Sequence, residues 1–241
     1  MADQVAAAPG AVPTEPWSFP RRFVAAYTSP RALFEHLAER PSWFLPFLVI
    51  LLLVIAFVVG LYDSVLLPEN LAKMAEQGKS SPQAEAFMSG IGGRLVIPGF
   101  ATLATAGVLF LYSAFVLMIG AFLLGGKFSY RQALSVVTHA SMVGVLGFVV
   151  RVPLALISKT AQVTVGPGML FPAAQAEGFG GHFLSSFLAS FDLFNLWQTA
   201  LIALGVSVVA RVPSGKASAW VWILFLLSAL VGGLFGGIQG R

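Results

Sequence analysis

Few side chains in this sequence are able to do chemistry, and their spacing limits what that chemistry is. The chain contains no cysteine and three histidines. Thiol catalysis, disulfides, iron–sulfur clusters and thioester lipid anchors are therefore excluded. His36, His139 and His182 are scattered, with no His-Glu-x-x-His among them, whereas a zinc site needs converging ligands at short spacing. No Gly-x-Ser-x-Gly supplies a serine nucleophile. Gly125-Gly126-Lys127 ends like a phosphate loop, but Ala121 stands where that motif places its first glycine and Phe128 where it places Ser or Thr. No catalytic residue, metal site or cofactor is expected.

What remains is a short set of ionisable groups in apolar surroundings, where a charge is costly and functional by default. Asp63 directly follows the first apolar stretch and reads as a solvated end-of-helix acid or as a functional carboxylate. Asp192 opens the fourth stretch, where a carboxylate suits a helix N-terminus. His139 lies in the first half of the third. There a neutral ring either hydrogen-bonds a neighbouring helix or serves proton transfer or ligand binding. The three form no obvious relay. Gly232 and Gly236, and Gly233 and Gly237, each four apart, put a smooth groove on the last helix. Such a groove packs against another helix of the same chain or against a second copy.

The elements that position these groups follow from composition. Residues are 57% hydrophobic and only 10% charged, with a mean hydropathy of +0.85. A soluble domain has about 25% charged residues. Uncharged apolar runs long enough to cross a hydrocarbon core of about 30 Å recur along the chain. They predict an all-α polytopic membrane helix bundle with about five spans, at 44–61, 98–122, 132–150, 193–210 and 217–238. Residues 1–28 read as a disordered or interfacial tail, low in complexity over 1–16, and residues 29–238 as one membrane domain. Ser29-Pro30 starts a helix whose apolar face is Leu33, Phe34 and Leu37, and Pro41 stops it. That helix lies in the membrane interface, packs on the spans, or does both. Phe183, Phe187, Phe191 and Phe194 form an aromatic stripe at helical spacing, interrupted by Asp192.

Charge asymmetry sets the expected orientation. The two shortest turns, around Lys127 and Arg131 and around Arg211 and Lys216, each carry two basic residues and no acid. Both fall on the side of the N-terminus, which the positive-inside rule makes cytoplasmic, with the C-terminus outside. Lys73, Lys79, Arg94, Arg151, Lys159 and Arg241 are assigned to the opposite side. Basic residues without an aromatic-interleaved stripe give no support for nucleic-acid binding.

The order of these features is similar to a known family. Ser29-Pro30-Arg31-Ala32-Leu33-Phe34 and Pro41-Ser42-Trp43 precede the first span. Gly125-Gly126-Lys127-Phe128-Ser129-Tyr130-Arg131-Gln132-Ala133-Leu134 opens the third, and Asp192-Leu193-Phe194-Asn195-Leu196-Trp197 the fourth. In this order the chain resembles the Yip (Ypt-interacting protein) domain family of multispanning membrane proteins, in a bacterial-type short form. The resemblance implies an integral membrane protein, in a bacterial cytoplasmic (inner) membrane, with no catalytic residues to carry over. Eukaryotic relatives bind small Rab-type GTPases, and one another, through a longer polar N-terminal region. Here only about 43 residues precede the first span, which argues against a small GTPase as partner. The expected partners are the lipid bilayer and a homo-oligomer or other membrane proteins. The expected role is a non-enzymatic partner- or lipid-binding protein that organises the membrane or a complex in it. The alternative is a subunit of a transporter, channel or permease complex.

Overall fold

The computed structural model describes residues 16–172 and 176–239. Nearly all of the low-complexity start lies outside them. All regular structure among the described residues is helical. Helices α1 (Phe19–Thr28) and α2 (Pro30–Glu39) precede α3 (Phe44–Leu61), which runs through a π-helical turn at Tyr62–Leu66 into α4 (Leu67–Glu76). Next come α5 (Pro82–Ser89), α6 (Ile91–Leu117) with a π-helical end at Met118–Leu123, α7 (Tyr130–Ala140) and α8 (Val143–Ser158). A 3-10 turn at Pro167–Leu170 is followed by α9 (Gly178–Ala189), α10 (Leu193–Ala210) and α11 (Ser214–Gln239). Five segments are long and apolar enough to cross a bilayer: Phe44–Glu76, Ile91–Leu123, Tyr130–Ser158, Leu193–Ala210 and Ser214–Gln239. The chain is an all-α polytopic membrane protein.

The irregularities have local causes. Pro68 lacks an N–H for the carbonyl one turn back, and the π turn just before it absorbs the mismatch, with the Leu67 amide donating to the Tyr62 carbonyl. The second span ends where Leu124 N–H bonds Ile119 O at 3.0 Å and Gly126 N–H bonds Gly120 O at 2.9 Å. Gly125 turns the chain there at φ +67°, a left-handed conformation that favours glycine. A capping box of Ser129 and Gln132 then starts α7. Between α7 and α8 the Thr138 and Ser141 hydroxyls both donate to carbonyls one turn back, competing with the ladder where the third span bends.

Side-chain registers fix how the helices run. In α2, Leu33, Phe34 and Leu37 are fully buried between α7 and α10. Gln132 Nε2 donates to Ala38 O at 2.8 Å, and Tyr27 donates to the Met142 carbonyl, so α2 runs antiparallel to α7. Tyr27 packs edge-on against Trp197, and the Phe34 ring fills the space a Cβ on Gly205 would need, so α2 runs parallel to α10. α1 and α2 therefore form a hairpin with its tip at Thr28–Pro30 tucked between spans and its open end at the N-terminal end of the bundle. The helix expected at 29–40 thus packs on the spans, and α1 occupies the part of the expected tail just before it.

Candidate functional site

Asp192 lies at a break between two helices rather than at the outer start of a span. α9 and α10 together run antiparallel to α11. Phe179 and Phe183 face Gly237 and Gly233, and the Phe191 and Phe225 rings meet at 5.4 Å. α11 has 26 residues, about 39 Å of helix, and Phe225 lies near its midpoint. Asp192 is therefore level with the middle of the bundle. It is 1% exposed.

Its carboxylate is closed on all sides. Oδ1 accepts from Arg151 Nη2 at 2.5 Å and from Phe194 N–H at 2.9 Å, and Oδ2 accepts from Val165 N–H at 2.6 Å. Leu193 N–H returns a bond to Val165 O at 2.8 Å, and the Arg151 guanidinium lies 5.4 Å over the Phe194 ring. These bonds draw the segment after α8 back into the bundle beside α9, where Gly166 abuts the Phe191 carbonyl and Gly168 abuts Ala189. Arg151 was assigned by its position in sequence to a loop outside the membrane. It lies within α8 and half-buried, because Asp192 supplies the counter-charge that holds it there. Chemically this is a buried ion pair, three donors on one carboxylate with Arg151 Nε left without a partner among the described residues, that clips a broken helix to a folded-back segment.

The other two ionisable residues lie apart from it. Asp63, in the π turn, pairs with Arg94 at 2.8 Å, both side chains more than half exposed, and beside it Tyr62 donates to Met88 O at 2.8 Å. Together they tie the first span to the start of the second. His139 is fully buried, and its Nδ1–H donates to Ser135 O at 2.9 Å, which leaves Nε2 as the lone-pair nitrogen of a neutral ring. Nε2 has no hydrogen-bond partner among the described residues. Arg22 and His36 lie within electrostatic reach of it. Burial, then the charges of Arg22 and Arg40, holds His36 below its ordinary pKa.

The glycines of α11 face α9. A Cβ on Gly233 would strike the Phe183 ring, one on Gly237 the Phe179 ring, and one on Gly236 the Ser186 side chain. Gly232 has nothing nearer than Ser190 Oγ at 4.0 Å. The stripe forms a ladder of rings, Phe179, Phe183, Phe187, Phe191 and then Phe225, with neighbours 5.2–6.2 Å apart. Phe194 leaves the ladder and packs on Gly147.

One feature was not legible in the sequence. A cleft of about 1010 Å3 opens at the C-terminal end of the bundle, between α4, the end of α8, α9 and the end of α11. Glu69, Lys73, Glu76, Lys159 and His182 line it. Glu69 is held by Lys73 at 2.7 Å and by Ala161 N–H at 3.0 Å. Glu76, Lys159 and His182 have no ion-pair partner among the described residues. Lys73, Lys79 and Lys159 were assigned to one side of the membrane, but nothing in the sequence spacing places Glu69, Lys73 and Glu76 opposite Lys159 and His182.

Comparison with known proteins adds the remaining facts. The profile of the Yip1 domain matches residues 24–236. A protein described as membrane protein YknW, from Bacillus subtilis (strain 168), is 27% identical over 210 residues, covering 85% of this chain and 84% of that protein. No solved structure matches.

Proposed function

The chain belongs to the Yip1 domain family, and from that premise we propose that it is a non-enzymatic protein that binds lipids or membrane-protein partners and organises the bilayer or a complex around it. The observation that carries the reading is where the polar groups are spent. Asp192 and Arg151 are consumed in a structural clip, Asp63 in a pair with Arg94, and His139 Nδ1 on its own helix. A carrier needs ionisable groups free to exchange protons or ions along a path. Glu76, Lys159 and His182, without ion-pair partners among the described residues, instead line the cleft at one end of the bundle, open to a ligand or partner from outside. The membrane in this reading is a bacterial inner membrane, with the α1–α2 end cytoplasmic and the cleft on the opposite face.

Photo-crosslinking from Gln77 and Gln162 in the cleft, with Leu103 on the apolar surface as reference, tests it in native membranes. The expected result is one defined lipid or protein adduct from the cleft and only bulk lipid from Leu103. Identical bulk-lipid adducts from all three positions would overturn it.

A further inference from the structure

The α1–α2 hairpin carries an uncompensated buried charge. Arg22 is 9% exposed, and its Nε is sealed from solvent without an acceptor. No ion pair or side-chain hydrogen bond reaches its guanidinium among the described residues. Arg21 and Arg40 share its neighbourhood, and the one carboxylate that acts on the same cluster, Glu39 through His36, makes no ion pair with Arg22. α1 contains no acid, and the Arg21 guanidinium lies 4.2 Å over Trp17, which stacks at 4.9 Å on His36. Burial lowers the Arg22 pKa from its ordinary value. A guanidinium buried without a counter-charge is destabilising, and a native site carrying one calls for an anion.

The surroundings say which anion. A groove of about 480 Å3 runs along α1 from Trp17, Pro20 and Arg21, over Val24 and Ala25, to Thr28 and Ser29. Its cationic end is at the open end of the hairpin. Its apolar floor leads toward the tip, which the Tyr27 contacts with Met142 and Trp197 place deeper in the bundle. From Leu193, just past the break near mid-bundle, to Gly205 beside Phe34 is twelve residues of α10, about 18 Å. The hairpin therefore spans the depth from the outer acyl region to the phosphates of a bilayer whose hydrocarbon half-thickness is about 15 Å.

We infer that the α1 groove binds one anionic phospholipid of the leaflet at the N-terminal end, its phosphate on Arg21, with the unpaired charge of the adjacent Arg22 behind the lining adding to the attraction, and an acyl chain along Val24 and Ala25. Charge complementarity at one end and an apolar floor at the other fit a lipid better than a soluble anion. This deepens the lipid-binding reading above and rests on it, at a different end of the bundle from the cleft.

The test is native mass spectrometry of the full chain released from nanodiscs containing equal phosphatidylglycerol and phosphatidylcholine. The expected result is one retained phosphatidylglycerol, reduced at least tenfold by Arg22→Gln and by Val24→Trp, which fills the groove from its exposed side. Arg31→Gln, on the exposed face of the same hairpin, is expected to leave retention unchanged. If Arg22→Gln does not fold, Arg21→Gln and Val24→Trp carry the same comparison. Equal retention of both lipids, an equal loss in Arg31→Gln, or displacement of the lipid by millimolar inorganic phosphate would each overturn the inference. Loss of this lipid with cleft crosslinks intact leaves the cleft reading standing. Intact lipid retention with no defined cleft adduct removes the cleft reading alone.

Discussion

Replacing Asp192 by Asn tests the clip at the helix break. The substitution keeps an oxygen for the Val165 and Phe194 amides but removes the charge facing Arg151. Removing one partner of a buried pair costs about 3–5 kcal/mol. The Arg151 side chain is 29% exposed and reaches some solvent on losing its partner, so a value at or just below the bottom of that range, about 2–3 kcal/mol, is expected. Asp192→Ala also removes the helix cap and the acceptor for Val165, adding about 1 kcal/mol for each. Arg151→Met strands the carboxylate and is expected to cost about as much as Asp192→Asn. The double change Arg151→Met with Asp192→Asn, which leaves no buried charge, is expected to recover about half of the summed loss. The assay is reversible unfolding in mixed micelles, read beside limited proteolysis of residues 159–172. Those residues become cleavable if the clip opens. An Asp192→Asn protein within about 0.5 kcal/mol of wild type, with that segment still protected, would refute the reasoning.

Other outcomes follow from the same structure. Gly233→Leu and Gly237→Leu drive a side chain into the Phe183 and Phe179 rings, and each is expected to destabilise the fold by about 1–3 kcal/mol in a thermal unfolding series, with Gly232→Leu milder. Asp63→Asn is expected to change stability by under about 1 kcal/mol, because its pair with Arg94 is exposed; double-mutant unfolding measures it. His36 has a folded pKa below its unfolded value, so its contribution is full above the ordinary histidine pKa and is lost as pH falls through the folded value. Unfolding midpoints followed downward from pH 7.5 are expected to drop for the wild type and to flatten in His36→Gln. A reporter inserted after Ser80 is expected to label from outside the cell, and cytoplasmic labelling would reverse the topology.

The spans were legible because an uncharged apolar run of that length has little other use. Their ends were less so. The second was expected from Pro98 yet begins at Ile91, since a proline in the early turns of a long helix costs only local bonds. The buried face of α2 was visible as Leu33, Phe34 and Leu37 at helical spacing, but their partners Val136 and Gly205 were not, being more than a hundred residues away. Asp192 was readable as a cap, and it does accept from Phe194 N–H. That it sits level with the middle of the bundle depends on α9, whose 12 residues are too short to stand out as a span. Arg151 was misplaced for the same reason: a charge one residue beyond an apolar run looks solvated until its counter-ion, forty-one positions later, is seen beside it.

The most direct test of a lipid- or partner-organising role is to extract the protein from its own membrane in copolymer discs, without detergent, and identify everything in the particle by mass spectrometry. A stoichiometric lipid or a defined protein partner, enriched over the surrounding membrane, is the expected result. A bare monomer holding only bulk lipid, which moves an ion or solute when reconstituted, would contradict the account.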